Sequence, residues 1–313
     1  VIEEGDVELA DAHWRLTLAP QRGFLIREAC DARSGAQMLW RQVAPAPPPP
    51  SRELPPPGPE SIETFWDIFA GGWFPMFPSA GFTGELDGAP TLFHGELNRL
   101  PWEVVGRGPS WIEARVDTVR APFAVERRVA LEAGELRIET TFANTGAAAV
   151  SFTYGEHPCF PYATFAGGRM LLAAREAWVP HPSFDPERAQ LRPGERFAWP
   201  HAPSRDGGTL DLSLLPADAD GRHDHACALL AEPRVRIEAP RFGRALELEV
   251  DLAVTPYALI WQDFGERGAF AVEPGTAPDR GVREAIAAGA VGRLAPGERL
   301  RNAFALRWSD LGR

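Results

Sequence analysis

Cysteine is scarce in this chain. Its three copies, Cys30, Cys159 and Cys227, are odd in number and far apart, and no Cys-x-x-Cys pair occurs. That spacing supports neither a zinc knuckle nor a disulfide framework. Free thiols in a reducing compartment are the simple reading, and a cytoplasmic location is expected. Long hydrophobic runs are missing as well. No stretch of 18 apolar residues occurs, and the opening VIEEGDVELADAHW lacks a basic segment followed by an apolar core. Neither a membrane partner nor a secretory signal is therefore expected. Cationic excess is also lacking, with 32 Lys and Arg against 43 Asp and Glu and a net charge of −11. Nucleic-acid binders need cationic surface to neutralise phosphates, so that class of partner is excluded. No repeat of fixed period is present, which argues against solenoids.

Turn formers are plentiful. The 30 glycines and 31 prolines interrupt helix and strand interiors and force the chain to turn often. Between the turns lie short runs of period two. Leu136, Ile138, Thr140 and Phe142 alternate with Arg137, Glu139 and Thr141. Ile112, Ala114 and Val116 alternate with Glu113, Arg115 and Asp117, and Leu246, Leu248, Val250 and Leu252 with Glu247, Glu249 and Asp251. Such alternation turns one set of side chains to the core and the other to solvent. The fold class expected is all-β. Two short helices are expected, over ARSGAQML (32–39) and PDRGVREAIAA (278–288). The proline-rich stretch 44–60 reads as a long surface loop within one domain spanning 1–313. A second long loop is expected from Pro200 to His225, around a short LDLSLL strand.

Three polar islands interrupt the strands: Ala70–Trp102 with His94, Phe152–Tyr162 with His157, and Leu259–Asp279 with Glu273. Taken singly, each residue has an ordinary reading. A histidine at a strand end bonds a backbone carbonyl, a core histidine is buried and satisfied, and a strand-end carboxylate caps a turn. Together they sit beside aromatic residues and turn-forming prolines. Pro158 holds the backbone of His157 extended, and a carboxylate ending the apolar run Ala-Phe-Ala-Val needs partners or a chemical purpose. Aromatic faces next to hydrogen-bonding groups suit the C–H faces and hydroxyl edges of sugars.

In this order and spacing the islands resemble the galactose mutarotase-like, or aldose 1-epimerase, family. The resemblance is carried by GGWFPMFPSAG, by HGELNRLPWEV, by the strand pair running into FANTGAAAVSFTYGEHPCF, and by AVEPGTAPD with the closing LAPGERLRNAFALRW. It implies a β-supersandwich that interconverts the α and β anomers of a free aldose without a cofactor. By motif position it implies Glu273 as general base, His157 as general acid and His94 as a second histidine on the ring-oxygen or anomeric side. Arg99, Trp73 and Gln262 are the candidate substrate contacts, and a monomer or homodimer is expected. Two departures stand out. No arginine follows Phe77-Pro78, and Glu156 replaces the usual Asn before His157.

Mutarotation moves one proton off the C1 hydroxyl and another onto the ring oxygen. A carboxylate and an imidazole suit those tasks, and ordinary values for the two predict a rate plateau near neutral pH. Rival readings are a sugar binder without turnover and a hexose-6-phosphate epimerase. A metal site of cupin type is a third, for which His223-Asp224-His225 is the only His-x-His, read as a solvated loop with Glu232 the next glutamate. A glycoside hydrolase would need a second carboxylate, available in principle from Glu96, Glu156, Asp263 or Glu266.

Overall fold

A computed structural model of the chain describes residues 5–42, 51–278 and 281–311. One hydrogen-bonded ladder of 16 strands runs through it, folded into two facing layers. The strand His223–Ala239 makes the passage between layers. Its first half, to Leu229, pairs with Tyr257–Asp263, and its second half, from Arg234, pairs with Arg244–Glu249. The first layer continues through Ala269–Gly275, Gly155–Pro161 and Trp73–Met76 to the N-terminal strands. The second continues through Arg299–Asp310, Glu135–Asn144, Phe123–Glu132 and Trp111–Asp117.

The period-two runs build this second layer. Leu136, Ile138 and Phe142 are fully buried, as are Ile112 and Ala114, while Arg137 and Asp117 face solvent. Each such large apolar side chain taken out of water contributes roughly 1.5–3 kcal/mol. Aromatic rings lock the layers together, with Trp73 against Phe304 at 6.1 Å and Phe77 stacked on Phe142 at 4.3 Å. The result is an all-β sandwich, and among the described residues no helix is long and apolar enough to cross a membrane.

A polar network sits between the layers. Arg127 donates to Glu156 through both guanidinium nitrogens, at 2.5 and 2.9 Å, and both side chains are sealed from solvent. Tyr154 and Trp73 each donate a further hydrogen bond of 2.6 Å to the same carboxylate. Four donors on one carboxylate offset much of the cost of burying its charge.

The helix expected over 278–288 is present as Val282–Ala287, although 279 and 280 lie outside the described residues. The helix expected over 32–39 is absent. Asp31 instead accepts from the Ser34 backbone at 2.8 Å and from its hydroxyl, and this Asx turn diverts the chain before a helix can start. Of the proline-rich loop, 44–50 lie outside the described residues, 51–58 are irregular, and the loop ends in an unexpected helix, Glu60–Ile68. Pro59 already holds helical dihedrals at its N-cap, and Glu60 and Glu63 place negative charge in the first turn, where the helix dipole favours it. The stretch 200–225 is likewise more regular than expected. His201–Pro203 pairs with Thr209–Asp211, and the long layer-crossing strand begins at His223.

Candidate active site

Strand parity decides which side chains meet. In Gly155–Pro161, Glu156 turns inward to Arg127, so His157 turns to the outer face of the first layer. The ladder pairs Gly155 with Gly275 and Cys159 with Ala271, which sets His157 across from Glu273. On the other side Glu273 pairs with Leu259, and His157 pairs with Phe74. One row therefore runs Phe74, His157, Glu273, Leu259 across the sheet. The neighbouring row carries Ala271, Trp261 and His225.

His157 Nε2 lies 3.4 Å from Glu273 Oε1. Cys159 Sγ lies 3.3 Å from His157 Nδ1. Burial pushes the Cys159 thiol well up, so it stays protonated, and the imidazole tautomer sets which partner donates. The separation of 116 positions between His157 and Glu273 is closed by strand pairing.

His94 arrives from a loop. Its φ of 57° is left-handed, a strained state for a residue with a Cβ. Gly95 follows at φ 74°, where a Cβ would lie 2.3 Å from the Phe77 carbonyl oxygen. This tight pass over Phe77 swings the His94 ring to 5.5 Å from that of His157. The helix Glu60–Ile68 then roofs the site with Phe65 and Trp66, and Phe69 follows at its C-cap. The cavity, which opens to solvent on one side, measures about 40 Å³, and His94, His157, His181, His225 and Glu273 share its walls with Leu259 and seven Phe and Trp rings.

The cavity is a site for uncharged imidazoles. Burial pushes His157 down to about 3. Burial, with neighbouring histidines adding to it, holds His94 and His225 well below the ordinary imidazole value. The Nδ1 atoms of His94 and His225 are buried and have no hydrogen-bond partner. These depressed values make the fold acid-sensitive. An unfolded histidine takes a proton near pH 6.5, while the folded one resists it to much lower pH. Stability is therefore fully present above 6.5 and is lost as pH falls toward 3. All three groups act in this direction, with Glu96 and Asp224, raised by burial, acting in the opposite sense. Urea unfolding at about pH 7.5 and 5.5, on the wild type and on an Asp224→Asn variant, checks this, and stability that rises on acidification in both would show the imidazoles to be charged in the fold.

The three candidate substrate contacts lie elsewhere. Trp73 is the neighbour of Phe74 and so faces the interior, bonded to Glu156. Gln262 is the neighbour of Trp261 and faces the opposite side, accepting from Arg222 at 3.0 Å and donating to the Leu212 carbonyl at 3.2 Å. Arg99 donates to the Ser61 carbonyl at 2.8 Å and to Thr64, clamping the first turns of the roofing helix. Burial lowers its guanidinium to about 10. Arg99→Met should lower stability by about 1–3 kcal/mol, the usual cost of stranding partners of a buried donor. It should also loosen the Phe65–Trp66 roof, and urea unfolding together with the pitch of the Trp66 fluorescence shift reads both effects.

The candidate acids of the hydrolase reading are also committed. Glu96 accepts from the backbone of Val119 and Arg120, Glu156 is in the core, and Asp263 is held by Arg188 and Arg267. Glu266 is 73% exposed and pairs with Arg188. Among the described residues, Glu273 is the one carboxylate lining the cavity. His223-Asp224-His225, read as a solvated loop, is buried strand instead. His223 accepts from Trp261 Nε1 at 3.2 Å through Nε2 and meets Ser183 at 2.5 Å through Nδ1. Both of its nitrogens are occupied, and among the described residues no group of three or more potential ligands could hold a metal.

Sequence reasoning missed His181 and the helix aromatics, and it named His225 only for the metal reading. Signals existed: His181-Pro182 repeats the His157-Pro158 dipeptide, and Phe65 and Phe69 are spaced as helix neighbours.

No family model matches the chain, and no curated protein sequence does. Solved structures do. A protein from Synechocystis sp. PCC 6803 aligns with a TM-score of 0.71 at 20% identity, over 97% of this chain and 96% of that one. A galactose mutarotase-like protein from Clostridium acetobutylicum aligns with a TM-score of 0.69 at 16% identity, over 97% and 95%. A galactose mutarotase related enzyme from Lactobacillus acidophilus aligns with a TM-score of 0.68 at 13% identity, over 98% of both chains. Likeness along the whole length of these structures, joined to the strand order described above, identifies the chain as one with the galactose mutarotase-like fold.

Proposed function

We propose that the protein is an aldose 1-epimerase. The observation that carries this reading is the 3.4 Å approach of His157 Nε2 to Glu273 Oε1 at the floor of an aromatic-walled cavity. Two groups that can exchange a proton, set side by side beneath aromatic faces, suit the C1 hydroxyl and ring oxygen of a pyranose, which share one carbon.

In the proposed reaction the Glu273 carboxylate takes the proton from O1. The electron pair left on O1 forms the C1 carbonyl, and the bond from C1 to the ring oxygen breaks. The ring oxygen takes a proton from the His157 imidazolium. The aldehyde rotates about C1–C2, and the same steps in reverse close the ring on its other face and restore both residues. Burial disfavours that imidazolium in the empty cavity. It forms by uptake of one proton from solvent as the sugar is seated, its charge balanced by Glu273. The neutral plateau expected from ordinary values therefore does not carry over to the free protein.

Two-dimensional NMR exchange on a panel of free aldoses tests the reading. Accelerated exchange between α and β anomers of any of them supports it. Binding without acceleration favours the non-catalytic alternative.

A further inference from the structure

The cavity is unusually poor in groups that could satisfy a sugar's hydroxyls. A hexopyranose carries five hydroxyls and a ring oxygen. Once Glu273 and His157 are committed to O1 and the ring oxygen, the remaining polar side chains on the wall are His94, His181 and His225. No arginine lines the cavity among the described residues, and the sequence contains no lysine. The Nδ1 atoms of His94 and His225 are buried without a partner, and an imidazole nitrogen makes a single hydrogen bond.

The apolar part of the wall is not evenly placed. In an aldohexopyranose C5 is bonded to the ring oxygen, and C6 is bonded to C5. A ring oxygen held by His157 therefore brings C6 into the surroundings of that imidazole. Phe69 lies 5.8 Å from the His157 ring and Trp261 lies 6.2 Å away, both edge-on. Phe74 stacks beneath it at 4.8 Å. A hydroxymethyl group enclosed there loses its water and finds no side-chain partner among those rings. A phosphate loses far more. A methyl group at the same place buries apolar surface against aromatic faces.

Resting on the epimerase reading above, we propose that the substrate is a 6-deoxyaldohexose, with a methyl group at C6 against Phe69 and Trp261 and two ring hydroxyls taken by His94 and His225. A widened outer cleft adjoins the cavity at Phe82 and His181 and is lined by Arg283. Arg267 lies over the Trp66 ring at the cavity roof, at 4.9 Å. Either arginine could meet a phosphorylated substrate instead, so the test includes that arm.

The test is anomeric exchange by NMR with sugars matched except at C6: 6-deoxy-D-galactose against D-galactose, 6-deoxy-D-glucose against D-glucose, 6-deoxy-L-mannose against L-mannose, and D-glucose 6-phosphate. A buried hydroxyl without a partner weakens recognition by roughly 5- to 100-fold. At least one 6-deoxy sugar should therefore exceed its parent at least about fivefold in kcat/KM, with no acceleration of the phosphate ester. Phe69→Gln, which offers an amide where the ring was, should shrink that ratio while leaving exchange of the deoxy sugar measurable. Parent hexoses turned over as well as their 6-deoxy partners, or preference for the phosphate ester, would overturn the substrate assignment and leave the epimerase reading intact. Absence of acceleration across the whole panel would overturn both.

Discussion

Glu273→Gln is expected to lower the rate of anomeric exchange by about a thousandfold or more while the protein keeps its fold. The amide is nearly isosteric with the carboxylate, so the row Phe74, His157, Glu273, Leu259 keeps its packing. What is lost is the capacity to take a proton from O1, and a positioned general base is worth roughly 100- to 10,000-fold. His157→Asn should fall by a comparable factor, because the ring oxygen would then leave without a proton. The two losses should not multiply in the double variant, since the groups act in one concerted exchange. The measurement is NMR exchange on the sugar that the wild-type protein accelerates best, with near-ultraviolet circular dichroism to verify packing. A Glu273→Gln protein that is folded and retains a tenth or more of the wild-type rate would remove Glu273 from the chemistry.

The largest stability effect is expected on the other face of the same strand. Arg127→Met removes two hydrogen bonds from Glu156 and leaves a carboxylate enclosed between the layers with only Tyr154 and Trp73 as donors. Breaking one side of such a buried pair costs about 3–5 kcal/mol. Arg127→Met combined with Glu156→Gln should recover part of that loss, because the stranded charge is gone. Urea unfolding of the single and double variants decides it. The double variant should also retain exchange activity at temperatures where it is folded, since Glu156 and His157 point to opposite faces. A double variant no more stable than the single one would show that the lost packing of Arg127, not the isolated charge, sets the cost.

These two experiments divide along strand parity, and parity explains what could be read from the residues in order. The alternation of Leu136, Ile138 and Phe142 marked a strand because each position is judged against its own neighbours. Glu273 and His157 were legible as candidates because a carboxylate and an imidazole within apolar, proline-bounded runs are costly without a purpose. Trp73 and Gln262 were misplaced by a single position each. A shift of one residue reverses the face of a strand, and which face is outer depends on pairing with strands far away in sequence. His223-Asp224-His225 failed for a related reason. A polar run beside a Gly- and Pro-rich stretch looks solvated until Trp261 and Ser183 are found against it.

By itself, the sequence determined the all-β class, the lack of metal-type cysteine spacing, and the three islands bearing His94, His157 and Glu273, because composition, period and turn residues act locally. Only the tertiary structure decided that those islands converge on one cavity, that the helix Glu60–Ile68 roofs it, and that its polar wall is almost wholly imidazole. Those properties come from the register between distant strands and from the low polarity that packing creates, neither of which any single segment contains.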